Sequence, residues 1–462
     1  MFGRPNFILQ TDSYKISHWR QYPPGTTNVY SFFESRGGKF PNVTFFGLQY
    51  IIKNYLTDIV VCNQDIEEAK EFFKAHFGRD DLFNEAGWRI IVDEYGGKLP
   101  ITIRAVPEGT TVPTGNVLMT VENDDERLPW LTNYVETLLS QVWYPCTVAT
   151  QSREMRRVVE YYLEKTGTPG LIDFKVHDFG YRGSTSEESS AIGGAAHLTS
   201  FMGTDTMSAL RLARKFYGGS MAGFSIPAME HSTVTSWGRE NEAAAYDNML
   251  FQFPTGIIAA VSDSYNIYDA CSEIWGDKLK DKVLARDGVL VIRPDSGEPV
   301  STVITVLNIL AGKFGSTKNE KGYWVLNPKV RVIQGDGIDY RMIESILSEM
   351  AQVGLSADNI AFGSGGGLLQ KMDRDTQRFA FKCSAIKING VWQDVMKDPV
   401  GDASKRSKAG RFSLIKDEKL GYKTIKIGDP PYGEFNQLRT VFSEGTLFID
   451  DKFRDIRWRA RQ

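Results

Sequence analysis

Apolar positions along the chain follow one rhythm in its first third and another in its middle. Residues 99–123, LPITIRAVPEGTTVPTGNVLMTVEN, read as strands parted by Pro and Gly turns, a small β-rich layer. Residues 64–77, QDIEEAKEFFKAHF, carry the spacing of an amphipathic helix. From about Thr147, short apolar runs alternate with helix-length segments, the signature of βα units and a parallel sheet. The runs are LIDFKVHDF, AGFSIPAM, GIIAAVSD, GVLVIRPD, VRVIQGD and NIAFGSGG. Segments such as DSYNIYDACSEIW and GEPVSTVITVLNILAGKF predict helices between them. After Phe381 the chain returns to strand-like pieces and polar turns, and no fixed-period repeat runs through it.

This pattern predicts an α/β protein with an irregular TIM-like βα barrel and a second α+β domain, rich in strand, built from both chain ends. Residues 1–146 and 381–462 form that scaffold, the latter carrying a basic loop, and residues 147–380 form the catalytic barrel. A doubly wound open sheet is the competing architecture, since periodicity does not tell closure from an open parallel sheet. In a βα barrel, chemistry gathers where strands end at the C-terminal face. His177, Asp178, His231, Asp263, Arg293, Asp295 and Asp336 all lie at or just beyond such ends.

Totals narrow the classes of function. A chain of 462 residues exceeds one ordinary domain, and 42% hydrophobic with 24% charged residues is a globular composition. A net charge of -3 gives no global field for nucleic acid or an anionic membrane. No run approaches the ~18 apolar residues of a membrane span, and MFGRPNFILQTDSYK lacks a signal-peptide core, so a cytoplasmic location is expected. Cys62, Cys146, Cys271 and Cys383 form no CxxC pair and read as reduced, mostly packed thiols.

Two glycine-rich segments, QGDG at 334–337 and FGSGGG at 362–367, follow consecutive late strands. Late βα loops of barrels often hold phosphate through backbone N–H groups, although each segment also reads as a tight turn. Arg182 and Arg293 stand at strand ends, where a guanidinium fork suits phosphate; singly, each also reads as a surface residue. Phe179, between His177-Asp178 and Arg182, offers a face for a flat heteroaromatic ligand or is simply core. Asp205, Asp263, Asp295 and Asp336 suit sugar hydroxyls, a divalent ion or a histidine, while Asp205 and Asp295 also stand where a helix could begin. His231, in PAMEHST, is a candidate nucleophile or proton carrier, or a structural histidine; no HExxH spacing supports zinc. Residues 397–411 gather Lys397, Lys405, Arg406, Lys408 and Arg411 in one loop, an anion clamp if it folds over an active-site mouth and a solvated loop otherwise.

TDSYK, HDFGYRG, GTDT, EHST, SDSY, IRPDSG, QGDG, FGSGGG and KDPV stand in the order found in nicotinamide phosphoribosyltransferases, which the chain resembles over almost its whole length. The resemblance implies a type II phosphoribosyltransferase, dimeric, with active sites shared across the subunit interface. It implies that Phe179 and the neighbouring subunit's counterpart of Tyr14 sandwich a pyridine ring while Asp205 accepts from the nicotinamide carboxamide. Arg182 and Arg293, with the backbone of Gly365 and Gly366, match phosphate ligands, and Asp295, Gly335 and Asp336 match the ribose side. Arg36, Arg374, Lys382 and Lys397, joined by Lys405, match basic residues around the diphosphate, several donated by the other subunit.

The same resemblance gives phosphoribosyl pyrophosphate as donor, Mg²⁺ on the diphosphate, and nicotinamide mononucleotide with pyrophosphate as products, in NAD salvage. His231 matches a histidine phosphorylated by ATP, an optional co-substrate, and Asp263 the carboxylate that orients it. RGGKFPNVTFFGLQY, from Arg36 onward, is compact where vertebrate-like members carry an insertion. A nicotinate phosphoribosyltransferase is the nearest rival, told apart by Asp205, and a catalytically silent binding protein on the same fold is the rival of another class.

Overall fold

The computed structural model describes residues 5–401, 406–417, 421–429 and 436–462. Its larger sheet is antiparallel and seven-stranded, and it is built from both ends of the chain. In spatial order the strands are Val391–Asp394, Phe379–Ile388, Thr26–Ser35, Val117–Asn123, Ile101–Ala105, Arg439–Ser443 and Thr446–Leu447. The central pair holds a long register, with Phe33 opposite Phe381 and Phe32 opposite Lys382. Side chains alternate across this pleat, so Phe33 stacks on Phe379 at 5.1 Å in the core.

The predicted helix is present over Asn63–Phe77, with Ile66, Ala69 and Phe73 buried along one stripe. It stops at Gly78, whose φ of +67° is the left-handed conformation that ends helices most cheaply with glycine. The strands expected within residues 99–123 are Ile101–Ala105, Thr111–Pro113 and Val117–Asn123.

The second sheet is six-stranded and wholly parallel: Gly203–Thr204, Val176–Asp178, Ile360–Ser364, Val330–Gln334, Asp287–Arg293 and Thr255–Val261. It is a curled, barrel-like half sheet, and five of the six expected runs supply strands to it. AGFSIPAM is the exception. It meets its neighbours only through isolated bridges, Phe224 to Gly203 and Ala228 to Ala259. Pro227, which has no N–H to donate, interrupts any regular ladder there. The sequence also gives no sign of the two-residue strand Gly203–Thr204, too short for any periodicity.

Between strands, Pro299–Phe314 forms the expected helix, with Pro299 in its first turn and the Glu298 carboxylate accepting from the N–H groups of Val300 and Ser301. DSYNIYDACSEIW winds more loosely, a turn at Ile267–Asp269 leading into a widened π-type stretch, Ala270–Lys278.

The 24-residue helix Trp143–Thr166 runs between the two sheets. Its Thr150 Oγ1 accepts from the Thr44 N–H at 3.0 Å on the scaffold side. Its Ser152 Oγ lies 3.0 Å from His197 Nδ1 on the other. The C-terminal helix Phe453–Ala460 clasps the same junction, through Arg457 Nε to the Leu198 carbonyl and Arg459 Nε to the Glu108 carbonyl. No helix among the described residues is long and apolar enough to cross a membrane.

Candidate active site

The loops at the C-terminal ends of the parallel strands enclose an open cleft of about 880 Å³. Asp178, fully buried at the end of its strand, organises the first of them. Its Oδ1 accepts from the Gly180 N–H at 2.7 Å, and its carbonyl from the Asp205 N–H at 2.9 Å. Burial pushes its carboxyl up to about 6. Asp178 is thus a structural pin that shapes the turn carrying Phe179 and Arg182.

Phe179 lies directly over Gly363. A Cβ at Gly363 would come within 2.0 Å of the ring, so only glycine fits beneath it. A Cβ at Gly335 would lie 2.9 Å from Asp295 Oδ1 and 3.8 Å from the Phe179 ring, which shows how closely three loops converge. The ring remains half-exposed toward the cleft.

Asp205 is exposed in the same cleft and accepts a short hydrogen bond from the Ser225 hydroxyl at Oδ1. Arg182 reaches freely into solvent, its nearest carboxylate being Glu230 at 3.8 Å. Arg293 is mostly buried, 3.7 Å from Asp295, and its Nε has no partner among the described residues. Burial raises the Asp295 carboxyl above its ordinary range, with Arg293 opposing the shift. Gly365 and Gly366 line the cleft where a short helical turn begins, and nothing stands over Gly366. Asp336 is exposed just beyond Gly335, close enough to act on Asp295 through its charge.

None of these carboxylates caps a helix. Thr206 and Glu298 occupy the cap positions beside Asp205 and Asp295, and Asp339 caps the helix after Asp336. Helices thus begin shortly after Asp205 and Asp295, but neither carboxylate caps one. His177, by contrast, points away from chemistry. It is half-buried with Nε2 on the Phe174 carbonyl at 2.9 Å, and it closes on Gly203.

His231 opens a short helix, His231–Thr235, at the rim of the cleft. Its Nε2 lies 3.0 Å from Asp263 Oδ1, and the Asp263 side chain is only 4% exposed. The second oxygen, Oδ2, accepts from the Ser296 hydroxyl at 2.6 Å. Reading the sequence missed Ser225, Ser296 and the seat at Gly363. Ser225 lies in the segment expected to be strand, while Ser296 follows directly on Asp295.

The remaining predicted residues gather elsewhere in the chain. Tyr14 stands 59% exposed on the 3₁₀ turn Ser13–Arg20, outside the cleft. Glu136 acts through its charge on both Tyr14 and Lys382. Burial holds Lys382 below the usual lysine range, with Arg36, Arg374 and Lys397 pushing it the same way and Glu136 opposing. Lys382, on the strand Phe379–Ile388, thus feels the charge of Arg36, Arg374 and Lys397, and Arg36 also lies 3.2 Å from Glu34. Glu34 takes Lys408 of the basic run as well. Lys405 lies outside the described residues. Tyr14 and the basic shelf of Arg36, Arg374, Lys382 and Lys397 do not line the cleft.

The chain matches two family models. The Nicotinate phosphoribosyltransferase (NAPRTase) family model covers residues 174–446, and the Nicotinamide phosphoribosyltransferase, N-terminal domain, model covers residues 6–103. A nicotinamide phosphoribosyltransferase of Xanthomonas campestris is 54% identical, covering 90% of this chain and 89% of its own. One of Acinetobacter baylyi is 32% identical over 100% of this chain and 98% of its own. Among solved structures, human nicotinic acid phosphoribosyltransferase superposes with a TM-score of 0.58 at 16% identity, over 98% of this chain and 93% of that one. A nicotinate-nucleotide pyrophosphorylase of Pyrococcus furiosus gives 0.61 at 13%, over 100% and 96%. At such identities these two speak for the fold alone. Cleft, motifs and relatives converge: the chain belongs to the nicotinate phosphoribosyltransferase family and, within the reach of its relatives, to the nicotinamide phosphoribosyltransferases.

Proposed function

We propose that this enzyme transfers the phosphoribosyl group of phosphoribosyl pyrophosphate to nicotinamide, giving nicotinamide mononucleotide and pyrophosphate in NAD salvage. The observation that carries the reading is the convergence of Phe179, Asp205, Arg182, Arg293, Asp295 and the glycine backbone on one cleft. Phe179 stacks the pyridine ring, and Asp205, steadied at Oδ1 by Ser225, accepts from the carboxamide. A carboxylate there repels the carboxylate of nicotinate.

In the transfer, the pyridine nitrogen lends its electron pair to C1 of the ribose as the C1–O bond breaks, and that bond's pair leaves with pyrophosphate. Positive charge grows on the sugar and negative charge on the leaving group. Arg182, Arg293 and the N–H groups of Gly365 and Gly366 meet the phosphates, while Asp295, Gly335 and Asp336 hold the ribose. Mg²⁺ would come with the diphosphate, its usual partner, and supply further charge neutralisation. The half-buried Asp295 beside Arg293 is a donor of the type such an ion accepts.

We read the enzyme as a homodimer in which Tyr14, Arg36, Arg374, Lys382, Lys397 and Lys405 complete the cleft of the other subunit. That Tyr14, Arg36, Arg374, Lys382 and Lys397 do not line this chain's own cleft supports this. We also read the parallel sheet as an irregular TIM-like barrel closed through residues 224–228, whose bridges to Gly203 and Ala259 span its two edges. The scaffold is then residues 1–146 with 381–462, and the barrel residues 147–380. Four free thiols suit a reducing compartment such as the cytoplasm.

ATP serves as optional co-substrate through a phosphohistidine at His231. Asp263 holds Nε2, which leaves the Nδ1 pair to attack the γ-phosphorus while the bond to ADP breaks and ADP departs with its electrons. Water later attacks phosphorus, releases inorganic phosphate and returns the pair to Nδ1. The deciding assay offers nicotinamide or nicotinic acid with phosphoribosyl pyrophosphate and Mg²⁺, with and without ATP, and detects mononucleotide. Product from nicotinamide alone is expected; product mainly from nicotinic acid overturns the substrate, and none from either overturns the activity.

A further inference from the structure

Ser296 is not among the residues that a phosphoribosyl-transfer reading requires, yet it makes one of the tightest side-chain contacts beside the cleft. Its hydroxyl donates to Asp263 Oδ2 at 2.6 Å, while Asp263 Oδ1 lies 3.0 Å from His231 Nε2. The two oxygens of one buried carboxylate are thus divided between a serine and a histidine. That division fixes the rotation of the carboxylate about χ2, so one oxygen stays aimed at the ring instead of sweeping through a broad range of angles.

Ser296 reaches Asp263 from the neighbouring strand end. Val261 and Arg293 are register partners, and the Ser262 N–H donates to the Arg293 carbonyl at 3.0 Å, so the two loops leave the sheet side by side. Ser296 then follows Arg293 and Asp295, both of which line the cleft. Gly297, at a φ of +91°, turns the chain toward the helix Pro299–Phe314, and a Cβ there would meet Thr302 Oγ1 at 2.9 Å. The loop is therefore confined immediately beyond the serine.

We propose that Ser296 is a positioning residue for the ATP-linked step: by holding Asp263 Oδ2 it aims Oδ1 at His231 and ties the histidine to the loop of Arg293 and Asp295. This rests on the phosphohistidine reading above. In that step the Nδ1–P bond forms as the P–O bond to ADP breaks, and the proton stays on Nε2, facing Asp263. A carboxylate that swings away from Nε2 no longer supports the charge gathering on the ring, so the step slows without a change in how ATP binds.

The test uses the full chain with Mg²⁺ and ATP, comparing Ser296→Ala, Ser296→Thr, Asp263→Asn, the Ser296→Ala/Asp263→Asn double variant and His231→Ala. Ser296→Ala should lower kcat for ATP hydrolysis roughly tenfold, the scale of one hydrogen bond to a charged group, with KM for ATP within about twofold. Ser296→Thr, which keeps the hydroxyl, should recover most of the loss. In the Asp263→Asn background Ser296→Ala should cost nothing further, since a residue acting through Asp263 has no route left. Unchanged turnover in Ser296→Ala while His231→Ala is inactive overturns the proposal alone, as does an equal loss in both backgrounds. Hydrolysis at the ordinary rate in His231→Ala overturns the phosphohistidine reading and the proposal with it.

Discussion

Asp205→Asn should collapse the choice between nicotinamide and nicotinate. Asp205 presents a carboxylate in the cleft with Oδ1 already taken by Ser225, so its remaining oxygen is the natural acceptor for a carboxamide N–H. A hydrogen bond to a charged acceptor contributes about 1.5–3 kcal/mol and a neutral one about 0.5–1.5, so the variant should lose about 1–2 kcal/mol toward nicotinamide, roughly 5–30-fold in kcat/KM. Two like charges near 4 Å repel by about 1 kcal/mol in water and about 4 at a protein surface. Asp205 is exposed, so about 2 kcal/mol is the fair figure, and removing it should favour nicotinate by roughly 30-fold. The ratio of the two kcat/KM values should therefore fall by about two orders of magnitude or more. Initial rates of mononucleotide formation from each ring, at saturating phosphoribosyl pyrophosphate, measure it directly. A ratio that moves less than about threefold would refute the assignment of Asp205 as the discriminating group.

Three further outcomes are expected. Gly363→Ala should displace the Phe179 ring, because the added methyl would sit 2.0 Å from it, and raise KM for nicotinamide about tenfold or more while KM for the donor changes far less. If cleft and shelf meet across a dimer, Phe179→Ala and Tyr14→Ala chains refolded together should recover about a quarter of native activity, since half the dimers then carry one intact site; no recovery counts against shared sites. His197 is fully buried, and desolvation lowers its imidazole to about 3. The folded state thus keeps it neutral while the unfolded chain takes up a proton below about 6.5, so this stability is whole above 6.5 and is lost as pH falls toward 3. Denaturant titrations of native protein and His197→Gln should show their stability difference narrowing by about 2 kcal/mol between pH 7 and pH 5.

Strand ends were legible wherever apolar runs were followed by glycine or charge, because a parallel strand buried on both faces has little choice of composition. IRPDSG and FGSGGG announce their strands in this way, and Asp287–Arg293 and Ile360–Ser364 form beneath them. AGFSIPAM has the same apolar content but fails as a strand, since composition does not register the ladder donor that Pro227 lacks. Helices followed their stripes, as Ile66, Ala69 and Phe73 show.

The sequence by itself determined the βα alternation and the inventory of arginines, carboxylates and glycines at the strand ends, because period and residue type are local properties. What only the tertiary structure decided is adjacency. Gly363 lies under Phe179, Ser225 finds Asp205 across 20 residues, and Ser296 finds Asp263 across 33. The same holds for Tyr14 and Lys382, which are 368 residues apart yet lie under the charge of one glutamate, Glu136. Side-chain direction and strand order fix such pairs, and neither is written in the spacing of residues along one strand.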